Sequence, residues 1–312
     1  MINSMNKIID IHGHLGDILR GEDIIYQKNK MVPPSKDEDL YYQGLKLALS
    51  RFIDPNGKLF SYLLNEKSSQ KVVNAHTPRN NACTLENMGK VMDDNHISGM
   101  VALPIHPYVT FEDVLEASKV DGRIIPFTSI DYTLGRNAGK KLLEDVKNGA
   151  RGLKIHPIIQ KKSLLDEDTI EALKYWNDTG KPVQPHLGVY YYYPTEERHL
   201  QSPENGKYDD FKKLLSLFPD IKFIAAHSAG FEWKCLIEDG INLDNLYLDL
   251  SFVSRVQLKT YLKKWPIERL LYGSDWPYGN PEITLKVIDL SVKDPQAKEM
   301  ILYRNAKRLL GI

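Results

Sequence analysis

Short β-branched and apolar runs alternate with amphipathic stretches through most of this chain, at the spacing of strands joined by helical crossovers. The period-two runs predict strands at 7–11, 98–103, 123–130, 152–156, 183–186, 221–226, 246–250 and 270–272. Between the later ones, 3.6-residue periodicity predicts helices over 140–147, 168–178, 209–218, 231–238 and 255–264. Eight strands in this order, each followed by a crossover, close a (β/α)8 TIM barrel, an α/β fold whose parallel strands are covered on both faces. The interval 16–95 between the first two strands is too long for a crossover. It reads as a helical insertion at the rim, with helices near 36–52, 57–66 and 84–94; Ser35 three residues before Glu38 has the spacing of a capping box. The tail, 281–312, reads as two helices completing the outer ring.

Composition narrows the partners. Over 312 residues, 41 Lys and Arg balance 41 Asp and Glu, so no long-range field gathers nucleic acid or anionic lipid. No apolar stretch approaches the length of a membrane span, and the first residues carry Asp10 where a secretory signal would be apolar. The expectation is a single soluble, cytoplasmic domain over residues 1–312 that acts on a small molecule, with a homodimer as the default assembly. Cys83 and Cys235 are far apart and form no metal-binding pair.

The candidate chemistry lies where strands end. His12 and His14 are two apart on the first strand and share a face; His186 ends the fifth strand, His227 follows the sixth, and Asp275 follows the eighth. Barrels gather catalytic groups at this C-terminal rim. Neutral imidazoles with one carboxylate suit a catalytic Zn2+, with an open position where a water's pKa falls to about 7; Mn2+ and Fe2+ accept the same ligands.

Asp10-Ile11-His12-Gly13-His14, Arg151-Gly152-Leu153-Lys154-Ile155-His156-Pro157, Pro182-Val183-Gln184-Pro185-His186, Ile224-Ala225-Ala226-His227-Ser228, Tyr272-Gly273-Ser274-Asp275-Trp276-Pro277 and the ending Arg304-Asn305-Ala306-Lys307-Arg308 together resemble the amidohydrolase superfamily. Within it, the chain looks most like the amidohydrolase-2 group that includes aminocarboxymuconate-semialdehyde decarboxylase. The resemblance implies one divalent metal, usually zinc, held by His12, His14, His186 and Asp275. His227 then stands beside it in acid/base chemistry, and Asp275 both binds metal and takes a proton. In other branches a carbamylated lysine at the position of Lys154 bridges a second metal; the closer group implies one metal, with Lys154 as an ammonium facing a substrate carboxylate. The activity implied is a metal-dependent hydrolase that cleaves a small carboxylate-bearing amide, ester or lactone with a metal-activated water. The same constellation serves non-oxidative decarboxylation of an aromatic or unsaturated acid.

Further candidates for substrate binding are His156, two residues beyond Lys154; Arg79 in the insertion, whose fork suits a carboxylate; and Tyr190, the first of four consecutive tyrosines after the fifth strand. Trp276 is either a wall of the site or barrel packing.

Overall fold

The computed structural model describes residues 7–33, 39–57 and 66–312. Among the described residues, nine strand segments run parallel and in sequence order: β1 (Ile9–Gly13), β2 (Gly99–Ala102), β3 (Ile124–Pro126), β4 (Thr128–Ser129), β5 (Leu153–Ile155), β6 (Val183–Pro185), β7 (Phe223–Ala225), β8 (Leu246–Asp249) and β9 (Leu270–Leu271). β3 and β4 are one predicted strand interrupted at Phe127. Its first half pairs with β2 and its second with β5, and Phe127 N–H donates to Ala102 O while Thr128 N–H donates to Gly152 O. At the other seam Ile11 N–H donates to Tyr272 O at 3.0 Å and Asp275 N–H to His12 O at 2.8 Å, so the last strand returns to the first. The fold is the α/β TIM barrel expected from the pattern.

The helices follow the strands. The insertion holds α1 (Leu40–Lys46), α2 (Glu66–Asn80) and α3 (Leu85–Asp94). The helix predicted near 57–66 falls mainly on residues outside the described ones, as does the Ser35/Glu38 cap. α2 instead covers His76 to Arg79, a stretch for which no helix was predicted, with Pro78 inside it. α4 (Phe111–Val120) was not among the predicted helices. It starts at Thr110, whose hydroxyl accepts from Asp113 N–H while the Asp113 carboxylate accepts from Thr110 N–H, a reciprocal cap. The outer ring continues with α5 (Ala138–Lys147), α6 (Glu167–Trp176), α7 (Tyr208–Leu217), α8 (Trp233–Gly240), α9 (Arg255–Lys264) and α10 (Pro281–Ser291). α11 (Pro295–Glu299) and α12 (Asn305–Leu310) are joined by one π-helical turn. Among the described residues no helix is long and apolar enough to cross a membrane.

Period two along β1 divides its residues between two environments. Ile9 and Ile11 pack with Val101, Leu103 and, from α12, Ala306, Leu309 and Leu310. Asp10 and His12, of opposite parity, are fully buried on the other face. Each fully buried Ile or Leu contributes about 1.5–3 kcal/mol, and this apolar layer holds β1 rigid under the two histidines.

Candidate metal centre

The imidazoles of His12 and His14 converge on one carboxylate oxygen, with His227 close by. Asp275 Oδ1 lies 3.1 Å from His12 Nε2 and 3.2 Å from His14 Nε2, and one ligand atom each from His12, His227 and Asp275 fall within 4.8 Å of one another. The His12 ring stacks on His227 at 4.8 Å, and His227 meets His186 edge-on at 5.1 Å.

Hydrogen bonds at the far side of each ring dictate which nitrogen holds the proton. His12 Nδ1 is 2.6 Å from Asp249 Oδ2, and the carboxylate can only accept, so the proton is on Nδ1. His14 Nδ1 faces the carbonyl of Leu103 at 3.0 Å, with the same result. Ser251 Oγ donates to Asp249 Oδ2 and therefore accepts from His227 Nδ1, at 2.8 Å. All three rings thus turn a bare Nε2 lone pair toward the Asp275 side of the site. Asp249 is the hub, since its carboxylate also accepts from the backbone N–H of His227 and of Ser251. A carboxylate behind a ligating histidine fixes its tautomer and raises its basicity.

Electrostatics agree. Burial alone would raise Asp275, but His12 and His227 beside it hold its carboxyl well below the usual range. Burial lowers His12, yet the charges of Asp275 and Asp249 and the Asp249 hydrogen bond together outweigh it and the net shift is upward. His14 and His227 are pushed down to about 4 by burial. His12 Nε2 and Asp275 Oδ1 are buried with no hydrogen-bond partner. Three lone pairs and an unpartnered carboxylate oxygen make a cavity shaped for a cation, so a divalent ion fits these residues on their own geometry. His12, His14, His227 and Asp275 could hold it, with His186 at the edge, where the Tyr192 hydroxyl lies 3.1 Å from Nε2.

The backbone is arranged to bring these groups together. His227, Ser228 and Ala229 all have left-handed φ (53°, 48° and 62°), a run of strain typical of functional turns. Gly230 follows; a Cβ there would strike the Tyr190 hydroxyl at 2.4 Å. At Gly273 a Cβ would lie 2.3 Å from Asp249 Oδ1, so glycine is what lets the hub carboxylate reach His12.

Above the centre opens a cavity of about 1080 Å³, walled by His14, His156, His186, His227 and Asp275 below and by tyrosines and phenylalanines around it. Tyr190 lines it, as the sequence suggested. Tyr193 does not: its hydroxyl donates to Leu19 O at 2.6 Å and the ring is buried in the core. His156 also lines it, stacked on His186 at 4.2 Å, and its Nδ1 accepts from Ile159 N–H. Two expectations need correction. Arg79 does not face substrate: its guanidinium pairs with Asp39, donates to Ala75 O and covers the Tyr41 ring, tying α2 to α1. Lys154 does not reach the cavity either; it is fully buried inside the barrel with Nζ unpartnered, and burial brings it down to about 8 against the pull of Asp275 and Asp249. Trp276 packs in the core. Sequence reasoning missed Asp249 and Ser251, although Leu248-Asp249-Leu250-Ser251 ends a predicted strand just as the recognised ligand runs do. It also missed His76 and Tyr41, whose insertion has no strand end to mark them.

Fold and site together define a metal-dependent enzyme built on a TIM barrel. The sequence profile of the amidohydrolase family matches residues 9–312, and the chain belongs to that family. No curated protein matches it. Solved structures share the fold at low identity. A dihydroxybenzoic acid decarboxylase from Polaromonas sp. JS666, with bound manganese and the inhibitor 2-nitroresorcinol, has a TM-score of 0.66 at 13% identity, covering 98% of this chain and 97% of that one. 5-Carboxyvanillate decarboxylase from Sphingomonas paucimobilis gives 0.63 at 12%, covering 98% and 99%. A probable 2-pyrone-4,6-dicarboxylic acid hydrolase from Acinetobacter baumannii, with citric acid bound, gives 0.58 at 12%, covering 98% and 100%.

Proposed function

We propose that the protein is a metal-dependent hydrolase that cleaves an ester, lactone or amide of a planar, aromatic or unsaturated compound. The observation that carries this is the forced tautomer of His227: Nδ1–H is anchored through Ser251 to the Asp249 carboxylate, and Nε2 is a bare acceptor at the cavity floor. When bound, a divalent ion, most simply Zn2+, with Mn2+ or Fe2+ accepting the same ligands, supplies positive charge that polarises a substrate oxygen and acidifies water. His227 Nε2 takes the proton of the attacking water, and the Ser251–Asp249 chain stabilises the imidazolium that results. Water oxygen bonds to the acyl carbon, the C–O or C–N bond breaks, and the imidazolium returns the proton to the departing oxygen or nitrogen. Tyr190 and the other aromatic walls hold a flat substrate over this floor, and His156, with its proton on Nε2, donates beside it.

Decarboxylation is the second reading, and one observation favours it. The two cations expected to hold a separate substrate carboxylate do not line the cavity: Arg79 pairs with Asp39, and Lys154 is buried inside the barrel with Nζ unpartnered. A substrate carboxylate held at the centre itself needs neither.

The test is to incubate zinc- and manganese-loaded protein with hydroxylated benzoates and with aromatic lactones, esters and anilides, following carbon dioxide release and acyl cleavage in parallel. Cleavage without carbon dioxide is the expected result. Carbon dioxide release alone replaces the first reading by the second, and neither product from any compound overturns both.

A further inference from the structure

The cavity above the centre is far larger than a single ring needs. Its volume of 1080 Å³ is about seven times that of a cavity that encloses one benzene molecule. Most of its polar wall groups are already engaged within the protein. The Tyr41 hydroxyl donates to Tyr278 O at 2.7 Å and therefore accepts from His76 Nε2–H at 2.8 Å. The Tyr278 hydroxyl donates to Asn80 Oδ1, the Tyr192 hydroxyl meets His186 Nε2, and the Asn56 amide donates to Phe252 O and Gln257 Oε1. The charged wall residues, Lys207, Asp209 and Glu232, sit at the starts of α7 and α8. Most of the remaining wall is apolar surface from residues such as Leu45, Val72, Phe231, Phe252 and Ile283.

Two features of the backbone shape that surface. Phe252 has a left-handed φ of 58°, which a bulky side chain rarely adopts and which points to strain kept for function. Its ring stands edge-on to His227 at 5.3 Å, so the apolar wall begins at the acid/base histidine. In the insertion, Tyr41, Gly44, Leu45 and Ala48 recur at i, i+3, i+4 and i+7 along α1 and the 3-10 turn that continues it to Leu49. All four line the cavity, so one face of this helix is turned to it. On that face a Cβ at Gly44 would meet nothing within 4 Å. Glycine inside a helix is less stable than alanine, and here it leaves room that no neighbour fills.

We infer that the cavity takes a substrate whose aromatic part carries a further apolar group, an alkyl chain or a second ring, and that Gly44 is a specificity-determining residue whose missing side chain makes room for it. This rests on reading the cavity as the substrate site. It is independent of which bond is broken there. The substrate class is thereby narrowed to amphipathic compounds that present a polar end to the metal centre and an apolar end to the wall that α1 forms.

The experiment uses zinc-loaded protein titrated calorimetrically with benzoate, with its 3- and 4-substituted ethyl, butyl and hexyl derivatives, and with the methoxyethoxybenzoates as polar chains of comparable length. In at least one alkyl series affinity should rise roughly twofold to fourfold per methylene, the scale of burying one such group. The heat-capacity change of binding should grow more negative along that series, and the polar chain should gain little. In Gly44→Leu the hexyl compound should lose most of its advantage over benzoate. Gly44→Ala, a change that a helix favours, should lie between the two, and it carries the comparison alone if the leucine variant does not fold. A flat alkyl series, or a chain advantage undiminished in the Gly44 variants, overturns the inference and leaves the cavity reading intact. If benzoate and all its derivatives fail to bind, the cavity reading falls with it.

Discussion

At the residue scale the decisive group is Asp249, a buried carboxylate that never faces the cavity. Burial would raise it, but His12, His227 and the Ser251 N–H together hold its carboxyl below the ordinary value, and the ionised group orients His12 directly and His227 through Ser251. Asp249→Asn preserves shape but removes the charge that enforces both tautomers. Metal affinity should fall about 10–100-fold, the usual cost of losing such a partner, measured by competition with a chromophoric chelator. His227→Asn tests the assignment of that ring: it should leave metal content near that of the parent while kcat drops by roughly two to four orders of magnitude, whereas loss of metal would make His227 a ligand instead. Proton and metal compete for His12 Nε2. The folded, metal-free pKa of His12 is raised, so its contribution to stability is full below the unfolded imidazole value and is lost as pH rises through the folded value. Metal binding has the opposite dependence: affinity should weaken as pH falls through the raised His12 value, while Asp275, held low, stays ionised. Equilibrium dialysis across pH checks this, and a flat profile in that range contradicts it.

At the element scale, the turn after β7 and the glycine after β9 do what side chains alone cannot. The left-handed run from His227 to Ala229 lowers the ring onto the floor beside His12, and each such residue costs about 1–2 kcal/mol in isolation. Gly273 is tighter still, because a methyl group there meets Asp249 Oδ1, part of a carboxylate on another strand that four donors hold, one on Oδ1 and three on Oδ2. Gly273→Ala should therefore lower metal affinity as well as thermal stability. A variant that loses stability but binds zinc at parental affinity would show that the carboxylate can move aside at no cost to the centre.

For the whole molecule, the metal centre is also a clamp. Its candidate ligands come from the first and last strands and the segments after them, with His186 after β6 at the edge, so an ion held there ties together the seam where the barrel closes. Binding to the folded state alone stabilises by RT ln(1 + [L]/Kd), about 2.7 kcal/mol at a hundredfold excess over Kd. Stripping metal with a chelator should accordingly lower Tm by several degrees, and adding zinc back should restore it. An unchanged Tm in a scanning calorimeter would mean that the ion does not bridge these strands.

How much of this was legible in the sequence follows from the range of the interactions involved. Strand and helix periodicity is local, so the barrel order, β1 through β9, could be read from apolar spacing. The histidines and Asp275 announced themselves because a parallel barrel gathers strand ends, whatever the detailed packing. Helices α2 and α4 were not among the predicted ones: Pro78 lies inside the first, and the Thr110–Asp113 cap that starts the second closes only when both residues meet in space. What tertiary structure alone decided is the state of each group. Arg79 found Asp39 forty residues away, Lys154 was sealed inside the barrel, and Tyr41 settled the proton of His76 through a carbonyl near the other end of the chain. Residue type and spacing determine which side chains are available at the rim. Which nitrogen keeps its proton, and which cation remains free, depend on partners brought within 3 Å only when the chain closes on itself.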